Sequence, residues 1–92
     1  MILSNHLPDL ISLREFAVVE GSRRKAVLKV VHSQRGYHVQ LQVGSTRLFT
    51  PAFTEDEARE HAKSCQVNLW KLAQSREAGL VELAESVLTR TA

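Results

Sequence analysis

The sequence has few of the residues that mark a secreted, fibrous or membrane-embedded chain. Cys65 is the single cysteine, which excludes an internal disulfide and is typical of a reducing, cytoplasmic compartment. Two prolines and four glycines in 92 residues leave no low-complexity segment. No apolar run approaches the length of a membrane span, and residues 1–13 lack the basic start of a signal peptide. We therefore expect a cytoplasmic protein without membrane contact.

Acidic residues are missing from the middle of the chain. Residues 21–54 contain six basic residues and no acid, whereas residues 1–20 and 55–92 each carry a net charge of −2. One explanation is local, because acids favour the first turn of a helix and basic residues suit strand edges. The alternative is a positively charged surface for a polyanion.

The residues that are present indicate one small domain over residues 1–92. Hydrophobic residues make up 43% and charged residues 24% of the chain, an ordinary globular composition. A chain of this length buries only about 60–65% of its unfolded surface. Its core is therefore thin, and self-association would add to its stability.

The middle of the chain predicts an antiparallel meander. Residues 37–43 alternate between apolar and polar side chains, which is the period of a half-buried strand. A four-residue turn before them and the two-residue turn Gly44-Ser45 after them fix a register that pairs Leu28 with Leu41. Both hairpins then place the same residues on one core face: Ala26, Leu28, Val30, Val39, Leu41, Val43 and Leu48.

Residues 54–90 are predicted to be helical and to pack on that core face. Thr54 and Glu57 have the spacing of a capping box. One apolar stripe follows, formed by Ala58, Ala62, Cys65, Leu69 and Leu72. The pattern is renewed from Leu80, so the region forms one helix or two, and we favour two.

The start of the chain completes the predicted α+β fold. Pro8 suits the first turn of a short helix within residues 1–13. Residues 14–20 are predicted as the first strand of a four-stranded antiparallel sheet over 14–50, with Phe16 and Val18 pointing inward because they bury more area. The fold class is thus a short amino-terminal helix, a four-stranded meander, and one or two helices on one sheet face.

Catalytic and metal-binding groups are sparse. Cys65 lies in the apolar helical stripe, without a basic neighbour that would stabilise a thiolate. No pair of histidines has the spacing of metal ligands on one element. The four histidines lie on four different predicted elements: His6, His32, His38 and His61. We expect no enzymatic activity, no cofactor and no metal site.

The sheet face opposite the core is a candidate contact surface. Basic, amide and aromatic side chains occur together there and in the preceding loop, as they do on surfaces that bind nucleic acid. Apolar residues on the same face equally suit a buried contact with a protein partner. The candidate contact residues are Arg23, Arg24, Lys25, Lys29, His38, Gln40, Gln42, Arg47 and Phe49.

The carboxy-terminal apolar residues are a second candidate surface. They offer more apolar area than so small a core can readily cover, which predicts packing against a second copy of the chain. The candidate self-association residues are Trp70, Leu80, Leu83, Val87 and Leu88.

Two families share features with this sequence. The order of helix, antiparallel strands and packed helix is similar to that of double-stranded-RNA-binding domains. Those domains have a lysine-rich start to the last helix, where this chain has the acidic run 54–59. The run Gly36-Tyr37-His38-Val39, followed by residues 54–58 and Ala62, resembles HicB-type antitoxins over residues 25–70. That resemblance implies a protein partner.

The predicted function is a non-enzymatic binding module that self-associates, most simply as a homodimer. One alternative is a nucleic-acid-binding accessory or regulatory protein that uses the basic outer sheet face. The other is an antitoxin-like module with a protein partner.

Overall fold

A computed structural model of the chain describes residues 10–89 and contains, within them, a four-stranded antiparallel sheet followed by three helices. The elements are β1 (Leu10–Glu20), β2 (Lys25–Ser33), β3 (Gly36–Val43), β4 (Thr46–Phe49), α1 (Glu55–Gln66), α2 (Leu69–Gln74) and α3 (Leu80–Thr89). The strands lie in the order β1-β2-β3-β4. All three helices contribute to one core on the same sheet face, so the predicted α+β fold class is confirmed.

The centre of the sheet has the predicted register. Leu28 pairs with Leu41, and Leu41 pairs with Leu48. Gly44 has a φ of +58°, in the left-handed region that its tight turn requires. The two hairpins therefore turn the same side chains toward the helices, as their sequence pattern predicts.

The capping box predicted at the start of α1 is present. The Glu57 amide donates to Thr54 Oγ1 at 3.2 Å, and the Thr54 amide donates to Glu57 Oε1 at 3.0 Å. These two bonds satisfy donors that the first turn of a helix otherwise leaves unpaired. They fix where α1 begins over the sheet.

The core lies between the sheet and the helices. The predicted core residues Leu28, Val30, Val39, Leu41, Leu48, Ala62, Cys65 and Leu69 all belong to it, with Val30 partly buried at its margin. Small residues on α1, Ala58 and Ala62, are fully buried, which lets the helix lie close to the sheet.

The helical region is divided further than predicted. α1 ends before Asn68, and Ser75 caps the carboxyl end of α2 instead of starting the last helix. Gly79, with a φ of +75°, precedes α3 directly. The result is three short helices in place of one or two, because the chain must turn twice to keep its apolar residues on one small sheet.

The short helix predicted for residues 1–13 is wrong over residues 10–13, which form the first part of β1. Pairing with β2 there, Leu10 opposite Ser33 and Leu13 opposite Val31, outweighs the local helix signal of Pro8. Pro8 and the other residues of 1–9 lie outside the described part of the chain, as do residues 90–92.

The inward residues of β1 also differ from the prediction. The register with β2 shifts between Glu15 and Ala17, so Phe16 is an extra residue in the strand. Phe16 packs against the core as predicted. Val18, however, lies opposite Val27 on the other face and is 38% exposed. Because the bulge reverses the alternation, Ala17 and not Val18 packs inward.

No helix within residues 10–89 is long and apolar enough to cross a membrane.

Candidate interaction surfaces

The two edges of the sheet are formed by β1 and β4. β1 has eleven residues, whereas β4 has four. Within residues 10–89, β1 pairs only with β2, so the backbone groups on its other side have no strand partner there. Such an edge is a template for pairing with another chain.

Apolar side chains are exposed along the β1 edge. Leu10 is 53% exposed, Ile11 57% and Leu13 46%, and Val18 lies nearer the carboxyl end of the same strand. The strand contains neither proline nor lysine, two residues with which proteins protect a free edge. The edge thus combines unpaired backbone with apolar surface.

Two irregularities interrupt the pairing of β1 with β2, one at Ile11 and one at Phe16. Bulges bend a strand, and at sheet edges they can discourage pairing with other chains. Here two four-residue segments, 12–15 and 17–20, keep a continuous register with β2. Each is long enough to accept a short antiparallel partner.

The loop that follows β1, residues 21–24, forms hydrogen bonds with the helical region and so holds the carboxyl end of β1 against it. Arg24 donates to the Ser75 carbonyl oxygen at 2.6 Å and forms an ion pair with Glu77 at 2.9 Å. The Arg24 amide donates to the Ala73 carbonyl oxygen at 3.3 Å. Arg24, a predicted contact residue, is therefore held inside the molecule, with its side chain only 13% exposed.

The sheet face opposite the core carries predicted contact residues, but several of them are buried and not accessible to a partner. His38, Gln40 and Phe49 are all buried, as is Val31 on the same face. Gln40 lies directly opposite Phe49 between neighbouring strands. At the centre of this face, Val31 and Phe49 are buried, and the polar residues His38 and Gln40 are buried with them. The expectation that Phe49 and Gln40 are exposed for stacking and base contacts is therefore wrong.

The burial of His38 is supported by hydrogen bonds at both ring nitrogens. Nδ1 lies 2.8 Å from the Thr50 carbonyl oxygen, and Nε2 lies 2.7 Å from Ser33 Oγ. Because a carbonyl oxygen only accepts, Nδ1 carries the proton in this arrangement and Nε2 accepts from the serine hydroxyl. His38 thus joins the ends of the β2–β3 hairpin to the residue after β4.

The remaining predicted contact residues stay accessible but do not form one patch with an aromatic ring. Lys29 and Gln42 are partly buried. Three further basic residues are exposed: Arg23, Lys25 and Arg47.

The predicted self-association residues lie mostly inside their own chain. Leu80, Val87 and Leu88 are buried in the core, and Leu83 packs against it. Trp70 alone of this set is exposed, at 63%. The apolar stripe is covered because α3 docks on β3 and β4 of the same chain, so it cannot present a face to a second copy.

Two further titratable side chains are buried and partnered. His61 Nε2 contacts the Leu88 carbonyl oxygen, and its ring lies 5.3 Å from that of Phe53. Burial raises the pKa of the Cys65 thiol to about 11, so the thiol is protonated at neutral pH and is a poor nucleophile. Within residues 10–89, no three side chains of the metal-binding types are grouped. His6 lies outside those residues.

The sequence prediction does not include the exposed apolar residues of β1, because it places Leu10, Ile11 and Leu13 in a helix. No glycine, proline or asparagine interrupts residues 10–20, but such an uninterrupted run is found in helices as well as in strands, so no local signal identifies them.

Comparison of the chain with protein-family models, curated proteins and solved structures finds no match.

Proposed function

We propose that the protein is a non-enzymatic interaction module that forms a homodimer by antiparallel pairing of its β1 edges. The observation that carries the proposal is the exposed apolar edge of β1, with Leu10, Ile11 and Leu13 each about half exposed. Together the two sheets would form one continuous sheet of eight strands.

The backbone supports a second copy as the partner. In an antiparallel pair, alternate residues direct their N–H and C=O groups to the same side. A strand placed against an identical strand by a two-fold axis therefore meets matching donors and acceptors. The two regular segments of β1, 12–15 and 17–20, supply such groups.

The side chains support the same contact. Leu13 lies opposite the fully buried Val31 on the outer side of the sheet, so a strand added beyond β1 would extend an apolar surface already present. Burying apolar area contributes about 25 cal/mol per Å². Strand pairing alone is small, and a stable dimer requires burial of about 1,200–2,000 Å² in total. Leu10, Ile11 and Val18 provide apolar area beyond the paired backbone.

Single exposed apolar residues on the helices give weaker support for an interface. Val67, Trp70 and Val81 are exposed, but isolated residues of this kind are common on protein surfaces. No unpaired backbone accompanies them, since they lie on or beside helices.

Sedimentation equilibrium tests the proposal on three proteins: the native chain, Leu13→Lys and Val81→Lys. Leu13 and Val81 are matched in exposure, at 46% and 47%, but only Leu13 lies on the edge strand. At roughly tens of micromolar protomer, we expect dimers for the native chain and Val81→Lys, and monomers for Leu13→Lys. A lysine on an edge strand must be desolvated when a second strand pairs with it.

A native chain that is monomeric at this concentration would refute the proposal. Equal loss of the dimer in both variants would also refute it, because the effect would then not depend on β1. The circular dichroism of each variant confirms that its fold is retained.

A further inference from the structure

A cavity of about 290 Å³ lies on the helix side of the sheet, between β1 and the first two turns of α1. Small-molecule sites span about 300–1,000 Å³, so the cavity lies at the lower limit of that range and suits a ligand no larger than a single substituted ring. Its lining mixes aromatic and charged side chains: Arg14, Glu15, Phe16, His32, Tyr37, Glu55 and Arg59. All of these residues belong to one chain, so the cavity does not require the proposed dimer, although its wall on the β1 side belongs to the strand that the dimer would pair.

The cavity has a flat aromatic wall. The rings of His32 and Tyr37 are stacked, with centroids 4.2 Å apart and planes within 3°. In the sheet, His32 lies between Tyr37 and Ser12. The ring face that Tyr37 leaves uncovered is therefore directed toward β1, where the small Ser12 side chain leaves space. A planar ring placed there would continue the stack, with Phe16 as an apolar neighbour.

The cavity also has a cation available for an anionic group. Arg59 is already near the Glu55 carboxylate, at 3.8 Å. By contrast, within residues 10–89 no carboxylate lies within ion-pair distance of Arg14. A guanidinium binds a carboxylate through two parallel hydrogen bonds, and Arg14 projects from the same strand that forms the cavity wall.

We propose that this cavity binds a small planar aromatic molecule with one anionic group. The ring stacks on His32, and the anionic group pairs with Arg14. The Glu15 and Glu55 carboxylates, which also line the cavity, disfavour a ligand with more than one negative charge.

Titration of the isotope-labelled protein with benzoate, followed through its amide NMR signals, tests the inference. Benzamidine has the same shape and the opposite charge, and cyclohexanecarboxylate has the same charge without a planar ring. We expect saturable shifts with benzoate, confined to residues around the cavity, at a Kd of about 1 mM or tighter. Benzamidine should not bind, and cyclohexanecarboxylate should bind several-fold more weakly.

Two variants and a control locate the site. Arg14→Gln should weaken benzoate binding at least about tenfold, and Ser12→Leu should abolish it by filling the space beside His32. Arg23→Gln removes another exposed arginine, which lies outside the cavity, and should leave the affinity unchanged. Amide dispersion confirms that each variant is folded. Absence of saturable binding, equal binding of benzamidine, or unchanged affinity in Arg14→Gln would each overturn the inference.

Discussion

The centre of the sheet and its β1 edge contain similar apolar residues, but those at the centre are buried and those on the edge are exposed. At the centre, Leu28 and Leu41 pair across neighbouring strands and are at most 1% exposed. On the edge, Leu10 and Leu13 remain about half exposed. The difference lies in position, since the helices cover the core face at the sheet centre, whereas Leu13 lies at the edge and on the outer face.

The opposite edge of the sheet sharpens this contrast. β4 has only four residues, and Pro51 soon follows it without an amide to donate. Leu48 and Phe49 on β4 are buried. The β4 edge is thus short, carries buried side chains and is followed by a proline, whereas the β1 edge is long and its apolar side chains are exposed. In our account, this asymmetry directs self-association to β1.

The largest expected effect is on stability. It comes from a leucine-to-alanine substitution at the centre of the sheet, compared with the same substitution on the β1 edge. Leu41→Ala should lower the free energy of unfolding by about 2–5 kcal/mol, because it leaves a cavity in the core. Leu13→Ala should lower it by about 1 kcal/mol or less, measured in dilute protein. Chemical denaturation of both variants gives the comparison. Equal losses would mean that Leu13 is as buried as Leu41.

The second-largest expected effect on stability is at Gly21, which directly follows β1 and lies against the helical region. A side chain at this position would collide with the Ala73 backbone, so Gly21→Ala should cost about 1–3 kcal/mol. Ser22→Ala removes an exposed hydrogen bond to Gln74 and should cost about 0.5–1 kcal/mol. Denaturation curves decide the order of the two. A neutral Gly21→Ala would show that β1 does not approach α2 as closely as described.

An effect smaller than that of Gly21→Ala is expected at the capping box of α1. Thr54→Ala should cost about 0.5–2 kcal/mol, with no change in self-association because α1 packs mainly on β2 and β3. If Thr54→Ala also weakened self-association, the stability of α1 and the pairing of the β1 edge would not be independent.

The same capping box has a pH signature. Hydrogen bonds from the Thr54 amide and then its hydroxyl lower the pKa of Glu57 below its usual 4.5. A lowered folded-state pKa contributes stability that is present above pH 4.5 and is lost as the pH falls through the folded value. Glu57→Gln keeps the hydrogen-bonding pattern but cannot titrate, so its stability should lack this component. If the free energy of unfolding of the native chain and of Glu57→Gln fell equally at acidic pH, the attribution of this pH dependence to Glu57 would be wrong.

The parts of the fold that the sequence predicts correctly depend on neighbours close in the chain. The turn at Gly44 and the alternation of residues 37–43 specify the pairing of Leu41 with Leu48 directly. Thr54 and Glu57, three residues apart, specify the start of α1. In each case a short stretch of sequence contains both partners of the interaction.

The parts that the sequence does not predict depend on distant pairing. Residues 10–13 become a strand only because β2 lies beside them, and the bulge at Phe16 has no distinct sequence signal. Alternation gives the direction of a side chain but not what covers it, so the burial of Gln40 and Phe49 was not predictable. For the same reason, the stripe that includes Leu88 indicated burial without showing that its own sheet provides it.

Amide hydrogen exchange on β1, measured across about a hundredfold dilution of the native protein, tests the central claim most directly. The β1 amides that face β2 are hydrogen-bonded in both monomer and dimer, whereas the alternate amides that face outward are bonded only when two edges pair. We predict that the outward amides of residues 12–15 and 17–20 are protected at high concentration and lose that protection on dilution. Outward amides that exchange at the same fast rate throughout, or protection gained on the helices instead, would contradict the account.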